Sequence, residues 1–224
     1  MEITHVGTKR KSELLDIALD LFSKSGYIDT SIQEIISTAG VSKGAFYHYF
    51  KSKEDVLDQI IDRYINEIVD LSNKIAEDPN LSALKKYNLL FTEVQKRRIV
   101  NRGKFMFLLK MMLSEKNCLF INRYTEKTIK MVILPYRKIL DQGMAEGVFH
   151  INDPEATAEL IIRFGTIYRT KLAGMYLQVQ YQPDIIKEIQ KTINFIQDTV
   201  ERLLGVNPGT FIFISESFKG QFRI

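Results

Sequence analysis

Leu14, Ala18, Leu21 and Phe22 fall at i, i+4, i+7 and i+8, an apolar stripe. This period predicts an amphipathic helix from about Lys9 to Ser25. Thr8 is the expected N-cap and Gly26 the expected stop. A second, short helix is expected after Thr30. Thr30 serves as N-cap, with Gln33 three residues on in the capping-box position. Ile32, Ile35, Ile36 and Ala39 then share its inner face. Gly40 ends it with a residue that tolerates positive φ, and Val41 turns inward. Ser42 caps a third helix, which Phe46, Tyr49 and Phe50 anchor to the core. Ser52 caps a fourth, with Asp55 three positions later.

From Lys53 the helical period persists to about Ala76 and breaks near Asp78-Pro79-Asn80. Further helices are expected at about 81–99, 103–115, 118–146, 153–180 and 184–204. Their breaks fall at Gly103, Gly147, Asp153-Pro154 and Gln182-Pro183-Asp184. Pro135 should kink or divide the element that contains it. After Gly205 the helical signal stops. Phe211-Ile212-Phe213-Ile214 is apolar and β-prone, and two outcomes stay open: an ordered segment on the body or on a partner, or a frayed end. The expected fold class is all-α. An N-terminal three-helix domain spans 1–55, with its helix-turn-helix at about 31–50. A larger helical domain spans 56–206, and a C-terminal tail spans 207–224.

Length and composition agree with this picture. The chain has 224 residues, 45% of them hydrophobic, enough for a sizeable core. No apolar run reaches the roughly 18–20 residues of a membrane span, and Met1-Glu2-Ile3-Thr4-His5 lacks the apolar stretch of a signal peptide. The expectation is a cytoplasmic protein without a membrane partner. The single cysteine, Cys118, excludes an internal disulfide and a multi-cysteine metal cluster. Beside Leu119-Phe120-Ile121 it reads as a buried small hydrophobe. No metal site, cofactor site or catalytic residue is identified. His5, His48 and His150 lie far apart, and neither H-E-x-x-H, G-x-S-x-G nor a Gly-Lys-Ser/Thr phosphate loop occurs. A helical enzyme is therefore disfavoured.

Net charge is +4, but its distribution does not by itself indicate nucleic acid. Residues 1–55 hold seven Lys/Arg against eight Asp/Glu, or −1. The remainder holds 24 against 19, or +5. Only local clusters stand out: Lys9-Arg10-Lys11 and the lysines at 43, 51 and 53. Lys96-Arg97-Arg98 reads as a solvated helix end.

Spacing says more. On the third helix, Lys43, Gly44, Tyr47 and His48 point away from Phe46, Tyr49 and Phe50. Gly44 and Ala45 are small enough for the backbone to approach base edges, and the Ala45 methyl can meet a thymine methyl. Lys43 can reach a guanine edge or a phosphate. Tyr47 and His48 can donate to phosphate oxygens. Thr30, Ser31 and Ser42 bring hydroxyls and helix-start N–H groups to the backbone. Lys53 is expected on a phosphate at the other wall of the groove. The set expected to touch double-stranded DNA is therefore Thr30, Ser31, Ser42, Lys43, Gly44, Ala45, Tyr47, His48 and Lys53. Each is unremarkable alone; the register of three caps and a glycine turn joins them.

The run Thr30-Ser31-Ile32-x-x-Ile35-Ile36-x-x-Ala39-Gly40-Val41-Ser42-Lys43-Gly44-Ala45-Phe46-Tyr47-x-Tyr49-Phe50-x-Ser52-Lys53-Glu54-Asp55 closely resembles the TetR/AcrR family of bacterial transcriptional regulators. Gly26-Tyr27 and the stripe ending in Phe22 fit as well. Ile36 departs from it, since alanine is frequent there. The resemblance covers about residues 9–56. It implies a homodimer on a near-palindromic operator, a variable helical domain that binds a small-molecule inducer, and most often repression. It also implies that the last two long helices form the dimer's four-helix bundle.

Two further sets follow. Ala158, Ile161, Ile162, Gly165 and Tyr168 form a small and apolar stripe. Ile185, Ile189, Ile193, Ile196, Val200 and Leu203 form another. They suit a dimer interface at Ala158, Ile161, Ile162, Gly165, Ile189, Ile193, Ile196 and Val200, or else the chain's own core. A ligand wall is expected at Tyr87, Phe91, Phe105, Leu108, Met111, Met112, Tyr124, Phe164 and Tyr168, because methionine and aromatic surfaces adapt to apolar guests. Ordinary core packing is the alternative. The ligand expected is small and hydrophobic or amphipathic. The leading functional expectation is a ligand-responsive repressor. The alternative is an architectural or cell-division factor of the same fold without an inducer.

Overall fold

The computed structural model describes residues 2–100, 111, 113, 117–179, 181–182 and 184–213, without the side chains of 2–6, 95–100, 173 and 177. Among the described residues every regular element is a helix: α1 Glu2–Ser25, α2 Ile32–Ala39, α3 Lys43–Tyr49, α4 Lys53–Glu77, α5 Ala83–Val100, α6 Cys118–Ala145, α7 Pro154–Gln178 and α8 Ile185–Leu204. No described helix is long and apolar enough to cross a membrane. Contacts divide the chain into two units. One is Met1–Asn66 with Lys110–Tyr124; the other is Glu67–Leu109 with Thr125–Ile224. The helix expected at 103–115 falls almost wholly outside the described residues.

The first unit is built on α1, whose Leu14, Leu15, Ala18, Leu19 and Phe22 are buried. The helix starts at Glu2, not near Lys9, so Thr8 lies inside it. One glycine at position 7 and a threonine do not stop a helix that no proline interrupts. Gly26 ends α1 as expected, at φ 92°. Ile35 and Ile36 of α2, Phe46 of α3, Phe50, and Val56, Leu57, Ile60, Ile61 and Ile65 of α4 are buried too. Met111, Phe120 and Tyr124 join the same unit and are also buried. Cys118 corrects the expectation: it is exposed. As the first residue of α6 it points outward, while Phe120 takes the inward position.

In the second unit one core joins buried residues of α4, α5, α6, α7 and α8. Helix ends are satisfied locally. The Glu146 carboxylate accepts the Ala83 N–H at the start of α5, with oxygens at 3.0 and 3.3 Å. Buried Lys86 donates to the Ala76 carbonyl at the end of α4. Asp153 caps α7 through the Ala156 N–H, ahead of Pro154 at the first helical position. Pro135 does not divide α6, which runs on to Ala145.

Of the two readings of these stripes, the chain's own core holds most of their residues. Ala158, Ile161, Ile189, Ile193, Ile196 and Val200 belong to this chain's own core. Ile162 is buried with Ile129 and Val132 of α6, and Gly165 is half-buried. Helical spacing identifies an apolar side but not which body covers it. The large apolar side chains left exposed on α7 and α8 are others: Leu160 (49%), Ile167 (67%) and Phe195 (50%).

The segment after α8 packs on the second unit as far as Phe213. Gly205 ends the helix at φ 65°, and the chain turns back so that Phe211 and Phe213 are buried in the second unit. This resolves the alternatives for 207–213; Ile214 and the residues after it lie outside the described residues.

Candidate nucleic-acid interface

The reading helix depends on its caps. The Ser42 hydroxyl accepts the Ala45 N–H at 3.2 Å, fixing the start of α3. Gly40 ends α2 at φ 61°, and its own N–H and that of Val41 return to the Ser37 and Ile36 carbonyls. The turn between the two helices is thus held without bulk. Phe46 and Phe50 then pin α3 from beneath, their ring centroids 5.4 Å apart. What remains outward is Lys43, Gly44, Tyr47 and His48, all exposed, with Ala45 partly so. Ser31 and Ser42 are exposed on the same motif. This face offers a cation, two ring donors, hydroxyls and a nearly bare backbone, the mixture that backbone positioning and base-edge reading require.

Two expected contacts are corrected. Thr30 is not the N-cap of α2; Ser31 is, accepting the Glu34 N–H at 3.1 Å. Thr30 is buried, and its hydroxyl donates to the Gly26 carbonyl at 2.8 Å. It holds the α1–α2 turn and presents nothing to a duplex. Lys53 does not face solvent as a free cation. Its ammonium donates to the carbonyls of Tyr27 (2.8 Å), Ile28 (3.1 Å) and Thr30 (2.8 Å), and sits 4.6 Å from the centroid of the Tyr27 ring. An ammonium has three N–H donors, and all three are engaged. The turn after α1 leaves three carbonyls outside any helix, and the start of α4 brings Lys53 to them.

The same turn is gripped from a second side. The Tyr27 N–H donates to the Asn117 Oδ1 at 2.9 Å, and the Tyr27 hydroxyl donates to the Glu54 Oε1 at 3.0 Å. Burial and the Glu54 carboxylate push the Tyr27 phenol up to about 12. Glu54 is held below the usual carboxylate range by its own backbone N–H, the Ser52 hydroxyl and the Tyr27 phenol. Arg123 pairs with Asp58 at 3.0 Å beside them. Arg10 reaches from α1 to the Ala39 carbonyl at the end of α2. Sequence reading passed over Asn117, Tyr27 and Arg10 as structural supports. Nothing in the residues around Asn117 marks a buried amide whose partner lies 90 residues away.

The residues of the expected ligand wall fall in both units and, in part, outside the described residues. Met111 and Tyr124 are in the first unit; Tyr87, Phe91, Phe164 and Tyr168 are in the second. Phe105, Leu108 and Met112 lie outside the described residues. Within the second unit the four rings form two groups. Tyr87 and Phe91 meet Phe211 and Phe213, whereas Phe164 and Tyr168 meet Phe195. Aromatic content marks apolar surface without naming its neighbour.

The architecture of the first unit is that of a helix-turn-helix protein. The family "Bacterial regulatory proteins, tetR family" matches residues 14–60, which span α1 through the start of α4. The chain is similar to that family over those residues. It is 39% identical over 82 residues to the uncharacterized HTH-type transcriptional regulator YerO of Bacillus subtilis, a stretch covering 35% of this chain and only 28% of that relative. It is 27% identical over 158 residues to the HTH-type transcriptional repressor KstR2 of Mycolicibacterium smegmatis, covering 69% of this chain and 73% of the relative. The fold matches that of SmeT, repressor of the Stenotrophomonas maltophilia multidrug efflux pump SmeDEF. The TM-score is 0.62 at 16% identity, over 92% of this chain and 94% of SmeT. The fold of SmeT in its triclosan complex matches at TM-score 0.64.

Proposed function

We propose that this chain is a ligand-responsive transcriptional repressor that binds a near-palindromic operator as a homodimer in the cytoplasm. The observation that carries the reading is the exposed face of α3, capped by Ser42 and held from below by Phe46 and Phe50. The contacts assigned to it are Ser31, Ser42, Lys43, Gly44, Ala45, Tyr47 and His48. Residues 1–55 form the reading domain. Residues 56–206 bind the ligand and the second copy, and 207–224 form a tail. The repressor names carried by KstR2 and SmeT support the direction of control, and the SmeT–triclosan complex supports a small apolar effector.

For the dimer, the surface assigned is the exposed side of α7 and α8 around Leu160, Ile167 and Phe195. Phe164 and Tyr168 flank it, with ring centroids 6.3 and 5.6 Å from Phe195. Large apolar side chains left outside their own core are what a second copy would cover. Release then follows from population shift: the effector binds the DNA-incompetent dimer better, and the switch is no larger than that preference. A ten-fold release needs about 1.4 kcal/mol of coupling.

The test is a titration of the purified protein on DNA upstream of its own gene and neighbouring genes, at several salt concentrations and with excess competitor. Saturable, competitor-resistant binding to a short near-palindrome is expected. Weak binding that competitor abolishes and that vanishes with salt would overturn the repressor reading.

A further inference from the structure

The strap Asn207–Phe213 lies in a groove of the second unit in the way a bound molecule would. Phe211 (1% exposed) sets its ring 4.5 Å from Tyr87 and 6.4 Å from Phe149. Phe213 (4% exposed) stacks on Phe91 at 4.0 Å with an interplanar angle of 11°. Between these rings the backbone of the strap is read by side chains. The Gly209 N–H donates to Glu201 Oε2 at 3.0 Å, and the Phe211 N–H donates to Glu201 Oε1 at 2.9 Å. The Ile212 N–H donates to Asn88 Oδ1 at 3.0 Å. Glu201 is only 3% exposed. Its described partners are the two strap N–H groups and the Gln197 amide at 3.3 Å. A carboxylate withdrawn from water requires such donors. Here they come from a segment with no regular structure of its own, at the end of the described chain.

We propose that this groove is a ligand site held shut by the chain's own strap, and that its ligands are flat aromatic molecules carrying a pair of N–H donors, arylamidines being the simplest. The two N–H groups on Glu201 form a fork, one to each oxygen, which an amidinium reproduces with the gain of opposite charge. An attached aromatic ring then takes the slot of Phe211 on Tyr87. Displacement exchanges one set of aromatic contacts and donors for another, so the buried carboxylate is never left without partners. The regulatory use of the site rests on the repressor reading above; the site itself does not.

The experiment uses 2-naphthamidine with the full-length protein and its full-length Phe211→Ala/Phe213→Ala variant, read by calorimetry and hydrogen exchange without DNA. The double variant should bind one equivalent at least ten-fold more tightly than the wild type, because its strap no longer competes. Adding Glu201→Gln should weaken that binding ten-fold or more. In the wild type, saturating probe should speed exchange at Gly209 and Phe211 at least ten-fold, since their N–H groups lose Glu201. Equal affinity in the two proteins, or probe binding with strap exchange unchanged, overturns the proposal. If the double variant does not fold, the wild-type exchange measurement decides alone. Probe that binds and frees the strap while leaving an operator complex intact would count against the repressor's response to this site, not against the site.

Discussion

Tyr47 and Lys53 stand six residues apart and divide two jobs that sequence reading had joined. Tyr47 is exposed, and the contact proposed for it is one with DNA. Tyr47→Ala should lower affinity to a similar extent on every duplex and leave thermal unfolding unchanged, because a phosphate contact positions without specifying. Loss of sequence preference would make it a base reader instead. Lys53 is consumed within the fold. Lys53→Met removes three charge-assisted bonds to carbonyls and should cost about 2–3 kcal/mol in denaturant unfolding. Unchanged stability with lost DNA affinity would return it to the phosphate. Tyr27 supplies a pH signature. Its folded value is about 12 against an ordinary 10.0. The neutral phenol is favoured in the folded chain, so its contribution is complete below pH 10 and is lost as pH rises from 10 towards 12. Relative to Tyr27→Phe, the wild type should lose stability between unfolding measurements at pH 9 and pH 11.

At the scale of the element, α3 is seven residues long. A helix that short has no stability of its own, so its cap and its two buried phenylalanines decide whether it forms. Ser42→Ala should cost about 1 kcal/mol and weaken DNA binding with it. Ser42→Asp separates the two effects: it keeps a capping oxygen, and so stability, but sets a negative charge beside phosphates. Preserved affinity in Ser42→Asp would remove position 42 from the interface. The helix-turn-helix was readable in the chain because caps, a glycine turn and inward aromatics all lie within 25 residues. The limits of α1 were less readable. Thr8 has the chemistry of a cap, but nothing upstream of it obliges the helix to stop.

For the whole molecule, the decisive surface is the outer side of α7 and α8. Ile167→Asp and Phe195→Asp place charges at positions already largely exposed, so folding should survive. If a second copy covers this side, each variant should sediment as a monomer, and operator affinity should fall at least ten-fold because half-sites are then bound singly. A dimer that persists in both variants would place the interface elsewhere. If the protein binds as a dimer, the exposed face should recur about 34–36 Å away in it, the spacing of successive major grooves on one side of a duplex.

The order of polar and apolar residues by itself determined most of the described helices, the turn at Gly40, the outward set from Lys43 to His48 and the local resemblance to the tetR family, because each depends on neighbours a few positions away. Partnership across the fold was decided only by tertiary structure. Lys53 and Thr30 became struts because loose carbonyls of the α1–α2 turn lie beside them. The stripes of α7 and α8 became core because this chain covers them first. Phe211 and Phe213 became part of a strap because Glu201, Asn88 and Gln197 accept the N–H groups of Phe211, Ile212 and Phe213. A local pattern shows that a side chain must be buried or paired; which distant group meets it depends on how the helices pack.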